Sequence, residues 1–309
     1  MVEVPHPLSV ISTAAGRTVP LKVHQCVWSG EFPPNSLAAI LDCYRARVAR
    51  AEIDVAMLAD QDFLVAHDLE LAGPTDGYGR TDETTRSEAA RLYLMHRGVR
   101  TSAHAALLSE VVEAIRHEPY PTLLELDLKD WKPWAWPRVE ELAHVLQPVK
   151  DRVTFGGGAD WNLRRLHAVD PTFRMGFTIS NYLDWLPEHG VGSLPGVRGA
   201  YGYLDAHPLA RARLGSTSEY LRDRIGGIVR LVPGARDIHI RLLAVERMLE
   251  DGLTGLVDML HAQSMLLDVW TLNAGTPRWR ERLAFALAAG ADVITTETPR
   301  ELALAGSLA

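Results

Sequence analysis

Eight short apolar runs recur along the chain, and a segment with the helical spacing of apolar residues follows most of them. We predict strands at 21–24, 51–55, 122–128, 153–156, 173–177, 237–240, 266–271 and 292–296. Helices are predicted at 36–50, 109–116, 138–146, 161–169, 244–250 and 278–289. Alternating strands and helices form parallel sheets, and eight such units in 309 residues favour a closed α/β barrel, the (β/α)8 or TIM barrel, over an open sheet.

Two of the connections between predicted strands are unusually long. The segment of about 69–104 follows the second strand, is polar and rich in turn residues, and is expected to form an insertion or lid over the barrel. The segment 180–236 separates the fifth and sixth strands, and we expect it to shape the substrate pocket. Its helix-interrupting residues are Gly190, Gly192, Pro195 and Gly199. The sequence contains no sign of a second domain, so residues 1–309 are expected to form one barrel domain.

The second predicted strand carries two acidic side chains on one face. Glu52 and Asp54 are two residues apart, so both carboxylates point one way while Ile53 and Val55 point the other way. A second extended run ends at His67, and a hairpin between the two runs would bring this histidine beside the carboxylates. For this stretch alone, the structural alternative is an edge hairpin with a solvated acidic face.

Other predicted strands also end in polar residues, and in a barrel these ends meet at one face. The first strand ends in His24, with Lys22 on the same face, and the third sends Glu125, Asp127 and Lys129 inward. Buried acidic side chains repel one another and need a cation, either a lysine or a metal ion. A site made of carboxylates suits magnesium or calcium better than zinc. A salt-bridged barrel interior is the alternative that needs no ligand.

Composition narrows the class of partner. The formal net charge is −7 and no cluster of five or more Lys or Arg occurs, which argues against a nucleic-acid or anionic-membrane surface. No apolar run is long enough to cross a bilayer and the N-terminus lacks the apolar core of a signal peptide, so we expect a cytoplasmic protein without stable membrane insertion. The expected partner is a small molecule. Cys26 could act as a nucleophile, but a lone cysteine is more often a small buried apolar residue.

Seven short motifs follow one another along the chain. They are His24-Gln25-Cys26, Pro33-Pro34-Asn35-Ser36, Glu52-Ile53-Asp54, His67-Asp68, Asp127-Leu128-Lys129, Trp270-Thr271-Leu272-Asn273 and Thr296-Glu297-Thr298-Pro299. Their order and spacing resemble the glycerophosphodiester phosphodiesterase family, from about residue 20 to residue 300. That family has His-Arg-Gly, Pro-Glu-Asn-Thr, Glu-x-Asp, His-Asp, acidic-x-Lys, Trp-Thr-x-Asn and Thr-Asp-x-Pro in the same order. Each motif alone is weak evidence, whereas the common order is specific.

The resemblance implies a metal-dependent phosphodiesterase that cleaves a glycerophosphodiester-type substrate. His24 and His67 would be the acid/base pair, a task that suits the pKa of histidine near neutrality. One divalent cation, magnesium or calcium, would be held by Glu52, Asp54 and either Asp127 or Glu125. Both candidates for the third ligand face inward, and the resemblance favours Asp127. Lys129 would neutralise charge on the phosphate, and Trp270 would line the pocket.

Two positions depart from the family pattern. Gln25 stands where the family has arginine, and Pro34 stands where it has glutamate. A guanidinium can hold a phosphate with two hydrogen bonds and a carboxamide cannot, so phosphate binding through Gln25 must be weaker or supplied by another residue. Candidate substitutes for the missing arginine are Lys22, Lys129 and Arg241.

These departures leave two alternative functions open. The related sphingomyelinase D group also has a first histidine without a following arginine, and its enzymes act on choline phospholipids, typically through a cyclic phosphate. A lysophospholipid is therefore a competing substrate, and Trp131, Trp134 and Trp136 could stack on its quaternary ammonium unless they pack onto the barrel instead. The second alternative is a barrel that binds a phosphorylated ligand without catalysis.

Overall fold

The structure is a computed structural model that describes residues 4–14, 16–182 and 216–307. Its strands in these ranges are β1 (Val10–Ser12), β2 (Thr18–Val23), β3 (Arg50–Met57), β4 (Phe63–Val65), β5 (Tyr93–His96), β6 (Val99–His104), β7 (Leu123–Leu128), β8 (Val153–Gly157), β9 (Arg174–Thr178), β10 (Ala235–Arg241), β11 (Leu266–Trp270) and β12 (Val293–Thr296). Its α-helices are α1 (Leu37–Arg45), α2 (Arg86–Ala89), α3 (Leu108–Ile115), α4 (Trp136–Leu146), α5 (Asp160–Val169), α6 (Thr217–Ile228), α7 (Leu242–Glu250), α8 (Leu256–His261), α9 (Trp279–Ala288) and α10 (Pro299–Gly306).

Eight of these strands form a closed parallel barrel, in the order β2, β3, β7, β8, β9, β10, β11 and β12 around the axis. Each strand pairs in parallel with its neighbours, and the pairing of β12 with β2, with Ile294 opposite Leu21, closes the barrel. Each predicted strand coincides with one barrel strand. The predicted (β/α)8 barrel is therefore confirmed.

Alternation along β7 shows how the barrel separates its apolar and polar faces. Leu124, Leu126 and Leu128 are buried in the main apolar core, and burial of a leucine side chain contributes about 1.5–3 kcal/mol. Glu125 and Asp127, which alternate with them, point into the barrel and line its cavity. The same strand therefore stabilises the fold with one face and supplies polar groups with the other.

The helices agree with the predicted ones except at the end of α1. Ser36 caps α1 by accepting a hydrogen bond from the backbone N–H of Ala39. The helix expected to reach residue 50 ends at Arg45, because Arg47 has a left-handed φ of 58° and Arg50 already begins β3. The other predicted helices match α3, α4, α5, α7 and α9 to within two residues at each end. Among the described helices, none combines the length and apolarity needed to span a membrane.

The predicted hairpin and the insertion follow β3. β4 pairs antiparallel with the end of β3, with Val65 opposite Val55, which confirms the hairpin. The chain then leaves the barrel wall for the segment 69–104, which contains α2 and the two-stranded sheet of β5 and β6. A small apolar cluster of its own supports this segment, with Leu58, Leu64, Leu71, Ala89, Leu94, Ala105 and Leu107 among its members. Lys132, after β7, also contacts Asp82 at 2.6 Å.

The long segment before β10 is described only in part. Residues 183–215 lie outside the described ranges, and they include Gly190, Gly192, Pro195 and Gly199. The expectation that this segment shapes the pocket concerns mainly these residues. Within the described part, α6 begins with a capping box in which Ser216 and Glu219 satisfy each other's backbone N–H groups. From α6 the chain leads into β10.

Candidate active site

The carboxyl ends of the barrel strands surround a cavity of about 370 Å³. The predicted site residues that line it are Lys22, His24, Glu52, His67, Glu125, Asp127, Lys129, Arg241 and Trp270. Gln25 and Asp54 adjoin this wall, and the Gln25 side-chain amide donates a hydrogen bond to Asp54 over 2.9 Å. The lining also contains residues to which the sequence analysis gave no role, namely Thr178, His239, Thr271 and Thr295. The fold therefore brings the predicted residues to one place.

Three carboxylates form the acidic cluster of this cavity. Glu52 and Asp54 are buried on β3, and Asp127 on β7 stands opposite Asp54 in the strand register. One oxygen from each carboxylate lies within 4.8 Å of the other two. Oε1 of Glu52 is buried and has no hydrogen-bond partner among the described residues. The cluster thus has the oxygen donor atoms that a hard cation requires, one of them without a hydrogen-bond partner among the described residues.

Two amides hold Asp54 in its orientation. Oδ2 of Asp54 accepts hydrogen bonds from the side chains of Gln25, at 2.9 Å, and Asn35, at 2.7 Å. The backbone N–H of Gln25 also donates to Glu52 over 2.8 Å, from a left-handed turn in which Gln25 has a φ of 49°. Asn35 was given no role from the sequence, although it lies in a quoted motif. At the position where the family has arginine, the amide of Gln25 thus contacts a carboxylate of the acidic cluster.

Lys129 lies between two of the carboxylates. Its Nζ is 2.6 Å from Oδ1 of Asp54 and 2.6 Å from Oδ2 of Asp127. Burial alone would lower the pKa of Lys129, but Asp127, Asp54 and Glu52 together raise it well above its ordinary value. Burial and the neighbouring Asp54 raise the pKa of Glu52. Lys129 therefore stays charged, whereas for Glu52 burial and Asp54 outweigh the positive charges of His24 and Lys129.

His24 is held between two carboxylates at the end of β2. Nδ1 lies 3.0 Å from Oε1 of Glu297, and Nε2 lies 3.8 Å from Oε2 of Glu52. Asn273 positions Glu297 by accepting a hydrogen bond from its backbone N–H over 2.8 Å. The sequence analysis quoted Glu297 in the last motif without a role. The acidic residue directly after β12 therefore contacts the histidine at the end of β2.

His67 reaches the same cavity from the hairpin. It follows β4, and the backbone N–H of Ala66 donates to the carbonyl of Asp54 over 3.1 Å. Nδ1 of His67 lies 2.7 Å from Oδ1 of Asp68, and the side chain of His67 is half exposed. Because an ionised carboxylate only accepts hydrogen bonds, Nδ1 of His67 is the donor to Asp68, and in a neutral ring this leaves the lone pair on Nε2.

A second, deeper cluster accounts for Glu125 and Lys22. Nζ of Lys22 lies 2.7 Å from Glu125 and 2.6 Å from Asp268, and Nε2 of His239 lies 3.2 Å from Glu125. All four side chains are buried. Gly156 leaves room for this arrangement, since a Cβ there would lie 2.9 Å from Glu125. Glu125, the alternative third ligand, thus lies apart from the Glu52 cluster, and Lys22 is already neutralised by two carboxylates.

Arg241 and Trp270 form a pair on the far wall. Cζ of Arg241 lies 5.0 Å from the centroid of the Trp270 ring. The tryptophans after β7 pack elsewhere: Trp134 is fully buried, Trp131 packs edge-on against Trp161, and Trp136 lies under Arg165. None of these three lines the described part of the cavity, although Trp136 is half exposed, so they do not form a stacking site there.

The chain was compared with a family profile, with curated protein sequences and with solved structures. The sequence profile of the glycerophosphoryl diester phosphodiesterase family matches residues 28–301, while no curated protein sequence matches the chain. A glycerophosphodiester phosphodiesterase from Agrobacterium tumefaciens has a similar structure, with 16% identity, a TM-score of 0.61 and coverage of 92% of this chain and 98% of that chain. An Oleispira antarctica phosphodiesterase in complex with the product sn-glycerol-3-phosphate has 18% identity and a TM-score of 0.62, with coverage of 93% of this chain and 96% of that chain. A Parabacteroides distasonis glycerophosphoryl diester phosphodiesterase has 18% identity and a TM-score of 0.61, with coverage of 98% of this chain and 90% of that chain.

The family match extends over most of the chain and covers six of the seven motifs, whereas the first motif, His24-Gln25-Cys26, precedes the matched range. The solved structures share the barrel along nearly their whole length. The chain therefore belongs to the glycerophosphoryl diester phosphodiesterase family and is a phosphoric diester hydrolase.

Proposed function

We propose that the protein cleaves glycerophosphodiesters with a divalent cation at Glu52, Asp54 and Asp127 and with His24 and His67 as acid and base. The observation that carries the proposal is that these three carboxylates come within 4.8 Å of one another in a cavity that both histidines line. A solved structure with the same fold holds the product sn-glycerol-3-phosphate, which supports a substrate of this class.

The donor set fits magnesium or calcium. All three side chains offer oxygen atoms, and the buried Oε1 of Glu52 has no hydrogen-bond partner among the described residues. Gln25 and Asn35 both donate hydrogen bonds to Oδ2 of Asp54, which leaves Oδ1 to the contact with Lys129. A divalent cation in such a site supplies Lewis-acid stabilisation of the charge that develops on the phosphoryl oxygens.

The histidines are suited to opposite roles. His24 lies between the carboxylates of Glu297 and Glu52, which favour its protonated form, and we assign it the protonation of the leaving alkoxide. Asp68 holds the proton of His67 on Nδ1, so Nε2 of His67 accepts the proton of the attacking hydroxyl. That hydroxyl belongs either to water, which gives a phosphomonoester, or to the substrate itself, which gives a cyclic phosphate.

Lys129 holds the phosphate in this mechanism. Its ammonium is charged and lines the cavity beside the acidic cluster, where it can neutralise a phosphoryl oxygen. Gln25 acts through Asp54, because its amide donates to that carboxylate. The residue at the family's arginine position thus contacts a proposed cation ligand in this protein.

Phosphorus NMR tests the proposal. The protein is mixed with glycerophosphodiesters and choline lysophospholipids in the presence of magnesium, calcium or chelator. We expect a metal-dependent resonance of a glycerophosphodiester product, and its shift distinguishes a monoester from a cyclic phosphate. A product formed only from the choline lipids would support the sphingomyelinase D-like alternative, and cation binding without any product would support a binding-only barrel.

Variants connect the activity to this cavity. His24→Ala and Asp54→Ala should each reduce turnover to less than about a tenth while leaving the fold intact, since positioned acid/base groups contribute at least about 100-fold. His261→Ala is a matched control, because His261 pairs with Asp292 at 2.9 Å outside the cavity lining. Higher residual turnover of His24→Ala would contradict the assigned role.

A further inference from the structure

Two strands face the acidic cluster from across the barrel. In the closed order of eight strands, β10 stands opposite β3 and β11 stands opposite β7. β10 ends in Arg241 and β11 ends in Trp270, and these residues are partners in the strand register. Both line the cavity. When the phosphate of a diester lies at Lys129, this opposite side is the space left for one of its alcohol groups.

Arg241 brings to that side a positive charge that no carboxylate of the described residues contacts. Its guanidinium lies over the ring of Trp270. The two lysines of the cavity, Lys22 and Lys129, each contact two carboxylates. A guanidinium binds a carboxylate or a phosphate through two parallel hydrogen bonds. Arg241 is therefore complementary to an anionic group on the alcohol.

The same contact disfavours a choline group. Quaternary ammonium groups bind over the face of an aromatic ring, and tryptophan provides the strongest such site. Here Arg241 already lies over the face of Trp270, with Cζ 5.0 Å from the ring centroid. A choline group that approached this pair would meet a like charge. The tryptophan of the motif is thus not available as a free ammonium site on that face.

A second cavity of about 220 Å³ adjoins this wall. Arg241, Trp270 and Thr271 line both cavities, so an alcohol larger than glycerol can extend past them. Arg282 lines the second cavity as well, but it faces Glu246 at 3.8 Å. Among the described residues, Arg241 is the arginine that lines both cavities.

We propose that Arg241 recognises a second anionic group, a carboxylate or a phosphate, on the alcohol of the phosphodiester and selects against choline esters. This inference rests on the proposed function, because it takes the reacting phosphate to lie at Lys129. It assigns Arg241 to specificity rather than to replacement of the family's arginine. A residue that held the reacting phosphate would serve all substrates equally.

Binding of matched esters tests the assignment. We would titrate His24→Ala protein, with magnesium, with three esters of sn-glycerol 3-phosphate: the 3-hydroxypropionate ester, its carboxamide and the choline ester. The first two have the same shape and differ in charge. We expect the carboxylate ester to bind about 10-fold or more tightly than the carboxamide, and the choline ester to bind most weakly. Addition of Arg241→Gln should reduce the ratio of carboxylate-ester affinity to carboxamide affinity to less than about 3-fold. It should also make the affinities for the choline ester and the carboxamide similar.

The controls separate the explanations. Arg282→Gln should leave the ratio of carboxylate to carboxamide unchanged, and Arg241→Lys should retain part of it. If Arg241→Gln weakened the binding of all three esters equally, the proposal would be overturned, and Arg241 would instead bind the reacting phosphate. A carboxylate-to-carboxamide affinity ratio near one before the substitution would also overturn the proposal. Absence of turnover of every ester by the unmodified protein would defeat the proposed function, while the binding ratios would still decide the role of Arg241.

Discussion

The carboxylate of Glu297 lies 3.0 Å from Nδ1 of His24, although the two residues are at opposite ends of the chain. The closed pairing of β12 with β2 brings them together. Burial alone would lower the pKa of His24, but Glu52, Glu297 and Asp54 outweigh it and raise the pKa to about 9. His24 is therefore a cation at neutral pH in the protein without a bound metal.

Glu297→Gln should lower the pKa of His24, because the substitution removes a negative charge that stabilises the imidazolium. NMR titration of the imidazole in chelated protein measures this pKa. Glu281→Gln is a suitable control, since Glu281 pairs with Arg278 on the surface at 2.7 Å. An unchanged His24 pKa in Glu297→Gln would show that the contact does not govern the ring.

The same variant has a pH-dependent effect on stability. The pKa of His24 is raised from 6.5 in the unfolded chain, so its carboxylate contacts stabilise the fold below 6.5 and this contribution is lost as the pH rises through about 9. Glu297 is partly exposed, so solvent screening limits its share to about 0.5–1 kcal/mol. Unfolding by urea in chelator should show a larger deficit for Glu297→Gln at pH 6 than at pH 9.5. A deficit that grows with pH would contradict the assignment.

Asp127→Asn and Glu125→Gln should separate cation binding from stability. Asp127 lies with Glu52 and Asp54, so we expect Asp127→Asn to weaken binding of magnesium about 10-fold or more. Glu125 pairs with Lys22 and His239, so Glu125→Gln should keep the affinity for magnesium but lower the free energy of unfolding by about 3–5 kcal/mol. Calorimetric titration and denaturant unfolding measure the two quantities. The opposite pattern would make Glu125 the third ligand.

Gly176→Ala should destabilise the barrel, because a Cβ at this position would lie 2.8 Å from the ring of His239 and 2.9 Å from the backbone oxygen of Phe155. We expect a loss of about 1–3 kcal/mol in the free energy of unfolding. Gly226→Ala is the matched control: it lies in α6 with nothing within 4 Å and should gain about 0.5–1 kcal/mol. Equal effects of the two substitutions would show that the ring of His239 and the backbone at Phe155 both move aside without cost.

Asp130→Asn should raise the free energy of unfolding, relative to that of the unmodified protein, by more at alkaline pH than at acidic pH. Burial, with a smaller contribution from Asp82, raises the pKa of Asp130 from 3.8 to about 6. The buried carboxylate therefore costs stability above about pH 6, and this cost disappears as the pH falls below 3.8. The asparagine oxygen can still accept the hydrogen bond from the N–H of Met57. The advantage of the variant, measured by urea unfolding, should be about 2 kcal/mol greater at pH 8 than at pH 4; a constant difference would be evidence against a raised pKa.

The barrel and the main residues of the site could be predicted because their signals are local. A period of two places Glu52 and Asp54 on one face of a strand, and the alternation of strands with helices places all strand ends at one rim. Neither inference needs to know which strands are neighbours. The hairpin that carries His67 to the rim was predictable in the same way.

The pairing of side chains depended on tertiary structure. Glu125 and Asp127 are equivalent by period, but their depth in the barrel sends Glu125 to Lys22 and leaves Asp127 with Glu52 and Asp54. The contact between His24 and Glu297 requires the closure of the barrel, and the isolation of Arg241 from the acidic cluster requires the strand order. The sequence by itself determined which side chains face inward, because backbone geometry sets the face of each residue. Only the tertiary structure decided which of them touch, because register, closure and depth set the distances between strands.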